Sequence, residues 1–332
     1  MNSEQNQNII TSFRRGALAK SQGARLSVIV CTYRRPQLLP GILKSVYQQS
    51  SLPGALIVVD ASPDDETERA VAGVPPEDSL PIQLLYFRVG PSLKGLTLQR
   101  NFGLHQVQTP FVAYFDDDAV LSRDCLEEIE RVMASDPAIV GAAGYNDAYR
   151  PSLKLWRMRK KLGIISDLRP GSYQRTGMSV PWSFMSPAEL LVSDWLPGCG
   201  MVWKTAVIRE LGGFYEGFSN YALGEDLDMS LRAGRKGKLV VVGSAKFEHL
   251  LEKGGGRPDE FRQGYMEIHN RFLIQRRCLE NRTWLDTLRF TYAWTVDSLM
   301  LLRRLTSLRG ASSVFRQLAG RIAGAFDLVL GK

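Results

Sequence analysis

The chain has 332 residues, of which 44% are hydrophobic and 23% charged, so wholesale disorder is excluded. The length allows two domains, or one large α/β domain with an appendage. The net charge of +8 is unevenly placed: residues 271–332 carry +7 and residues 1–270 only +1. The body therefore lacks the positive field of a nucleic-acid binder, while the tail is set to meet something anionic. Cys31, Cys125, Cys199 and Cys278 form no CxxC pair. That excludes a disulfide framework or thiolate zinc site and fits reduced thiols in the cytoplasm.

Residues 1–25 read as a polar N-terminal arm, and their start has no apolar core of a secretory signal. No uncharged apolar stretch reaches about 18 residues, so no membrane span is expected. Residues 26–32, LSVIVCT, form a continuous apolar, β-branched run, the pattern of a strand buried on both faces of a parallel sheet. Pro36 stands where a first helical residue would, and 36–49 read as a helix. Strands are expected at 55–61 (ALIVVDA), 82–88 (IQLLYFR), 111–118 (FVAYFDDD) and 138–144 (AIVGAAG), with helices at 65–73, 96–107 and 122–135 between them. This alternation predicts a mostly parallel sheet sandwiched by helices, with ligands at the carboxyl ends of its strands.

Residues 145–195 are less regular and include the basic cluster WRMRKK at 156–161. Order returns with LPGCGMVW at 196–203, a helix at 204–211, the loop GGFYEGFSN at 212–220, a helix beginning at Glu225, and a strand at 238–242. After Trp284 two basic amphipathic helices are expected, with Leu285, Leu288, Tyr292, Leu299 and Leu302 on one stripe and Phe315, Leu318, Ile322, Phe326 and Val329 on the next. Such helices pack on the core or on a second subunit of a homo-oligomer, or bind peripherally to an anionic inner membrane leaflet, and both readings stand. The division that results is an arm at 1–25, a first half at 26–145, a second half at 146–250, and a mobile loop with a helical tail at 251–332.

Asp116, Asp117 and Asp118 follow the apolar FVAYF. Adjacent carboxylates repel, and a divalent cation relieves the repulsion; hard oxygen ligands suit Mg²⁺ or Mn²⁺. A surface acidic turn is the alternative. Glu225 and Asp226 open a helix, where its dipole favours carboxylates.

The segments CTYRR, VVDAS, GLTLQRNFG, YFDDD and GEDLDMSLR, followed by a histidine in KFEHL, stand in the order found in family-2 glycosyltransferases, and the chain resembles that family from residue 26 to about 249. The resemblance implies a GT-A-type α/β fold, a nucleotide-diphosphate-sugar donor, a divalent metal, and transfer with inversion to the hydroxyl of a glycan or lipid-linked acceptor. By family analogy the setting is bacterial polysaccharide or glycolipid synthesis. It further implies that Thr32, Tyr33 and Arg35 border the nucleotide, that Asp60 binds the base, and that Lys94, Arg100 and Asn101 face the donor. Asp116 and Asp117 then lie near ribose and base, Asp118 and His249 hold the metal, and Asp226 is the general base with Glu225 orienting it or the acceptor. Two departures from the family pattern are Ala61-Ser62-Pro63 after Asp60, where Asn-Gly-Ser is frequent, and Phe102 between the Arg-Asn pair and Gly103. Arg100 also suits an acid of the aspartate group. The rivals are a sugar nucleotidyltransferase, which would need a Gly-rich phosphate loop that CTYRRPQ lacks, and a catalytically silent relative that binds a glycan or protein. KGGGRP at 253–258 reads as a lid over bound donor. Trp195 and Trp203 are expected in the core, with stacking on sugar the alternative.

Overall fold

In a computed structural model, the structure describes residues 8–16, 24–76, 82–146, 149–186, 189–218, 221–252, 254–302 and 308–330. In chain order the elements are β1 (Ile9–Arg15), β2 (Leu26–Thr32), α1 (Leu39–Tyr47), β3 (Ala55–Asp60), α2 (Glu66–Ala72), β4 (Gln83–Val89), α3 (Leu96–Gln106), β5 (Phe111–Asp116), β6 (Ala119–Leu121), α4 (Cys125–Ser135) and β7 (Ile139–Asn146). There follow α5 (Leu153–Lys161), β8 (Leu190–Ser193), β9 (Gly200–Lys204), α6 (Thr205–Glu210), α7 (Glu225–Ala233), β10 (Lys238–His249), α8 (Glu260–Cys278), α9 (Trp284–Leu301) and α10 (Leu308–Val329).

The strands form one sheet in the order β1-β4-β3-β2-β5-β9-β7-β10-β6, with β8 also paired to β10. Strands β2, β3, β4 and β5 are mutually parallel, and β7 pairs parallel with β10. Because β9 lies antiparallel between β5 and β7, all six of these strands point the same way. The sheet is thus mostly parallel and lies between helices, as the βα alternation predicts. Along β2 the side chains alternate between two cores. Val28 and Val30 join Ile42 of α1 and Ile129 of α4 on one face, while Ile29 meets Phe102 of α3 and packs in the cluster that holds Met229 of α7 on the other. Burial on both faces is why the run carries no polar alternation.

Several boundaries differ from expectation. The first helix begins at Leu39, with Pro40 in its opening turn, and Pro36 sits in the turn before it. The strand into the acidic group ends at Asp116, so Asp117 and Asp118 occupy a turn. The expected arm contributes β1, which pairs antiparallel with β4, although residues 1–7 and 17–23 lie outside the described residues. The irregular middle stretch holds α5 and β8, and the expected mobile region holds the 19-residue α8. Strand β10 runs on to His249 because a register shift between Val242 and Lys246 lets it pair further with β7 and, antiparallel, with β6.

The two expected amphipathic helices form, but α9 packs on the core through Phe290, Ala293 and Trp294 and not through the expected stripe. Its acids Asp286 and Asp297 are buried, while Trp284, Leu285, Leu288, Tyr292 and Leu299 are exposed. Arg303 and Arg304 lie outside the described residues. Among the described residues, no helix is long and apolar enough to cross a membrane.

Candidate active site

In-register pairing sets Thr32 beside Asp60 and Cys31 beside Asp116, so the strand ends converge on one edge of the sheet. A cavity of about 630 Å³ opens there, a size that accommodates an organic ligand. Its walls include Thr32, Tyr33, Arg35, Lys94, Arg100, Asp116, Asp117, His249, Glu225 and Asp226.

The β6–β10 hairpin-like register explains how a histidine distant in sequence reaches the acidic group. His249 pairs with Ala119, and Leu250 N donates to the Asp118 carbonyl at 3.0 Å. His249 Nε2 then lies 3.0 Å from Asp118 Oδ1 and 3.5 Å from Asp116 Oδ2. The ligating atoms of Asp116, Asp118 and His249 fall within 4.8 Å of one another. Although close, Asp118 Oδ1 and His249 Nε2 are buried and have no well-directed hydrogen bond. Two carboxylate oxygens and a borderline imidazole nitrogen around one point fit a divalent cation, and fit Mn²⁺ better than Mg²⁺, which prefers oxygen ligands alone. Burial raises the Asp116 carboxyl, and neighbouring Asp118 adds to this, against the pull of Arg100 and His249. Burial works against charge on His249, but Asp118 and Asp116 outweigh it and raise its pKa. The cluster therefore demands a positive charge at its centre, from a proton on the imidazole or from a metal ion.

Asp118 Oδ2 is held from three sides, by Arg35 Nη2 at 2.7 Å, Glu252 N at 2.9 Å and Arg257 Nη2 at 3.2 Å. Burial opposes ionisation of Asp118, yet His249 and Arg35 hold its carboxyl below the usual range. Arg35 spans two acids, because its Nη1 lies 2.8 Å from Asp117 Oδ1. Thr32 Oγ1 donates to the other Asp117 oxygen at 2.7 Å. Burial nevertheless pushes Asp117 up to about 7. Gly255, at φ 60°, rests on this group; a β-carbon there would come within 2.1 Å of Arg35 Cδ. The Gly-rich segment is thus laid across Tyr33 and Arg35, while Lys253 lies outside the described residues.

Arg100 joins the first acidic group to the second. It is 2% exposed. Its Nη1 donates to Glu225 Oε1 at 2.7 Å, and its Nη2 to the Gly198 carbonyl at 2.9 Å and to Asp116 Oδ1 at 3.4 Å. Burial and the neighbouring Asp226 charge push Glu225 up to about 8, against Arg100. Asp226 is half-buried at the cavity wall, its oxygens accepting from Leu227 N at 2.7 Å and Gly198 N at 3.0 Å. Gly198 must be small here, since a β-carbon would meet Glu225 Oε1 at 2.9 Å. Asp228, on the far side of α7, pairs with Arg232 at 2.8 Å, an i,i+4 link.

Two expected donor-facing residues do not reach the cavity. The Asp60 carboxylate is fully buried, accepting from Ser62 N and the Tyr86 hydroxyl, both at 2.8 Å. Asn101 instead clamps the 212–218 loop through Phe214 O, Phe214 N and Glu216. Lys94 Nζ lies 3.0 Å from the Tyr33 hydroxyl at the mouth. Trp203 is core, as expected, whereas Trp195 lines the cavity with its Nε1 tied to the Val180 carbonyl at 3.2 Å. Sequence reasoning missed Gln99, Arg257, Tyr149, Trp182 and Tyr221, all in the lining. Of these, Arg257 lay in the segment read as a lid, and Gln99 had a signal in its place beside Arg100; Gln99 donates to the Thr32 and Val59 carbonyls at 2.9 Å and ties α3 to the strand ends.

Comparison with known proteins agrees with this architecture. The family model described as "Glycosyl transferase family 2" matches residues 27–186, and that described as "Glycosyl transferase family group 2" matches residues 111–319. A GalNAc(5)-diNAcBac-PP-undecaprenol beta-1,3-glucosyltransferase of Campylobacter jejuni is 31% identical over 105 residues, 32% of this chain and 33% of its own. The succinoglycan biosynthesis protein ExoM of Rhizobium meliloti is 28% identical over 135 residues, 40% of this chain and 42% of its own. The matched part thus spans about a third to two-fifths of these curated relatives. A mannosyltransferase from Pyrobaculum calidifontis, solved with GDP-Man and Mn²⁺, is similar in fold, with a TM-score of 0.58 over 92% of this chain and 88% of its own, at 16% identity.

Proposed function

This chain belongs to glycosyl transferase family 2, and from that premise we propose that it moves a sugar from a nucleoside-diphosphate sugar to an acceptor hydroxyl, with inversion at the anomeric carbon. The observation that carries the proposal is the meeting of two separate carboxylate groups in one cavity, joined through buried Arg100.

Inverting transfer makes two opposite demands: stabilised negative charge on the leaving diphosphate, and a base across from it for the incoming hydroxyl. Asp116, Asp118 and His249 are the residues that would hold a divalent ion. Such an ion, when bound, neutralises charge on the diphosphate. Arg35 keeps Asp117 and Asp118 in place, and Tyr33 with Lys94 offers an aromatic and cationic rim for the nucleotide.

On the other side, Glu225 is occupied by Arg100, which leaves Asp226 to take the acceptor proton. The peptide N–H groups of Leu227 and Gly198 fix its carboxylate. The start of α7 places its positive dipole end beside this carboxylate. Trp195, Trp182 and Tyr149 supply apolar faces on which a sugar ring of the acceptor can lie. The curated relatives' printed names concern an undecaprenol-linked glycan and succinoglycan, and we extend to this chain a role in bacterial polysaccharide or glycolipid synthesis.

The test is a panel of nucleoside-diphosphate sugars incubated with Mn²⁺ and followed by nucleotide release, with the anomeric configuration of the product read by NMR. Metal-dependent release with inverted product is expected. Retained configuration, or no release from any donor, overturns the proposal.

A further inference from the structure

Helix α9 is apolar on two sides: Phe290, Ala293 and Trp294 pack inward, and a second apolar set faces outward. Trp284, Leu285, Leu288, Tyr292 and Leu299 form its outer face, with Trp284 70% and Leu299 60% exposed. Its acids point inward: Asp286 is bound by Arg175 and Arg289, and Asp297 by Arg159 and Arg321. On α10 the pattern recurs, with Phe315, Ile322, Phe326 and Val329 exposed, while Arg321 is buried and Asp327 is held by the Tyr265 hydroxyl. A third piece adjoins: the Tyr292 hydroxyl donates to the Leu162 carbonyl at 2.8 Å, which joins the outer face of α9 to the end of α5. There Lys154, Arg157, Lys160 and Lys161 are exposed, and α5 contains no acid.

Aromatic and aliphatic side chains turned outward, acids turned inward and a basic cluster at the edge together match an anionic bilayer interface. We propose that α9, α10 and the basic end of α5 form a docking face that seats the protein on the surface of an anionic membrane. The apolar side chains enter the boundary between headgroups and acyl chains, and the α5 cations meet lipid phosphates. The charge pattern selects this occupant over a second copy, since two such basic clusters brought together would repel.

The face is joined to the cavity by one slab of chain. Beneath α9 lie Trp156, Ile164, Ile165, Met178 and Val180, and this stretch runs between Tyr149 and Trp182, which line the cavity. Docking therefore sets the Tyr149–Trp182 wall in a fixed relation to the lipid surface, which fits an acceptor hydroxyl carried on a lipid. That last step rests on the glycosyltransferase reading; the docking itself does not.

Flotation of the full chain with vesicles tests it. Vesicles of phosphatidylglycerol and phosphatidylcholine are expected to carry at least about tenfold more protein than phosphatidylcholine alone. The pair Leu288→Glu and Leu299→Glu should lower flotation at least about tenfold, and Lys160→Glu with Lys161→Glu at least about fivefold. Thermal stabilisation by Mn²⁺ with a nucleoside diphosphate should stay unchanged in both. Wild-type protein that does not float, or variants that float equally well, overturn the proposal. So does a wild-type dimer in sedimentation velocity that Leu288→Glu with Leu299→Glu turns monomeric without any vesicle binding. Flotation without turnover of any donor would leave the docking face standing and sink the transferase reading instead.

Discussion

The molecule buries charge in two places and treats it differently. In the C-terminal helices Asp286 is completely covered, yet its oxygens accept from Arg175, Arg289 and the Thr283 backbone, and Asp297 is gripped by Arg159 and Arg321. Arg175 and the other donors hold the Asp286 carboxyl well below the usual range. In the cavity the acids outnumber their partners in effect: Asp118 Oδ1 and His249 Nε2 lack well-aligned bonds, and burial raises Asp116, Asp117 and Glu225. A satisfied buried network contributes order, whereas an unsatisfied one stores a demand that a ligand can meet. Substitutions in the two regions should therefore move different quantities.

The largest effect is expected from Asp226→Asn. Loss of the base should slow transfer by about 10²–10⁴-fold, with donor affinity unchanged by calorimetry. Transfer at the wild-type rate would remove Asp226 from this role. Next comes Asp116→Asn, for which Mn²⁺ affinity should fall at least about 100-fold, since removing even an indirect supporter of a metal ligand costs 10–100-fold. Without metal its melting temperature should hold or rise, because a carboxylate raised by burial and by Asp118 is relieved. A clear drop in stability with intact Mn²⁺ binding would place Asp116 in the same class as Asp286.

Asp286→Asn should behave the other way, costing about 2 kcal/mol of stability while leaving turnover intact, since Arg175 and Arg289 are partly exposed and regain water. Asp286 has a depressed pKa when folded, so its contribution is present above the ordinary aspartate value of 3.8 and is lost as pH falls below it. The gap between wild type and variant in urea titrations should close in that acid range. A gap that stays constant would mean the carboxylate charge is not what stabilises. The smallest effect is expected at Trp195→Ala, a rise of about 2–10-fold in acceptor KM from loss of a stacking face of about 0.5–1.5 kcal/mol, with donor KM unchanged.

How far the sequence reached depended on whether the interaction was local. The runs at Leu26–Thr32 and Ala55–Asp60 announced buried parallel strands because burial on both faces demands continuous apolar residues. Asp116 to Asp118 and Glu225-Asp226 stood out because adjacent carboxylates need a reason. What misled was equally physical. Asp60 ends a strand as a base-binding acid should, but Tyr86 on β4 lies within reach and takes its carboxylate. Asn101 follows Arg100 on α3, yet one step along a helix turns about 100°, and its amide faces the 212–218 loop. The stripe on α9 had the right period, but the helix carries a second apolar set, Phe290, Ala293 and Trp294, and periodicity does not say which of the two packs inward.

The order of apolar runs and acidic groups along the chain thus determined a mostly parallel α/β sheet, its family resemblance and the acidic residues proposed for metal and base. Which acids meet was decided only by tertiary structure. The register of β6 on β10 carries His249 to Asp118, and buried Arg100 links Asp116 to Glu225 across more than a hundred residues. Such pairings depend on close packing and desolvation between distant segments, quantities that no local window of sequence contains.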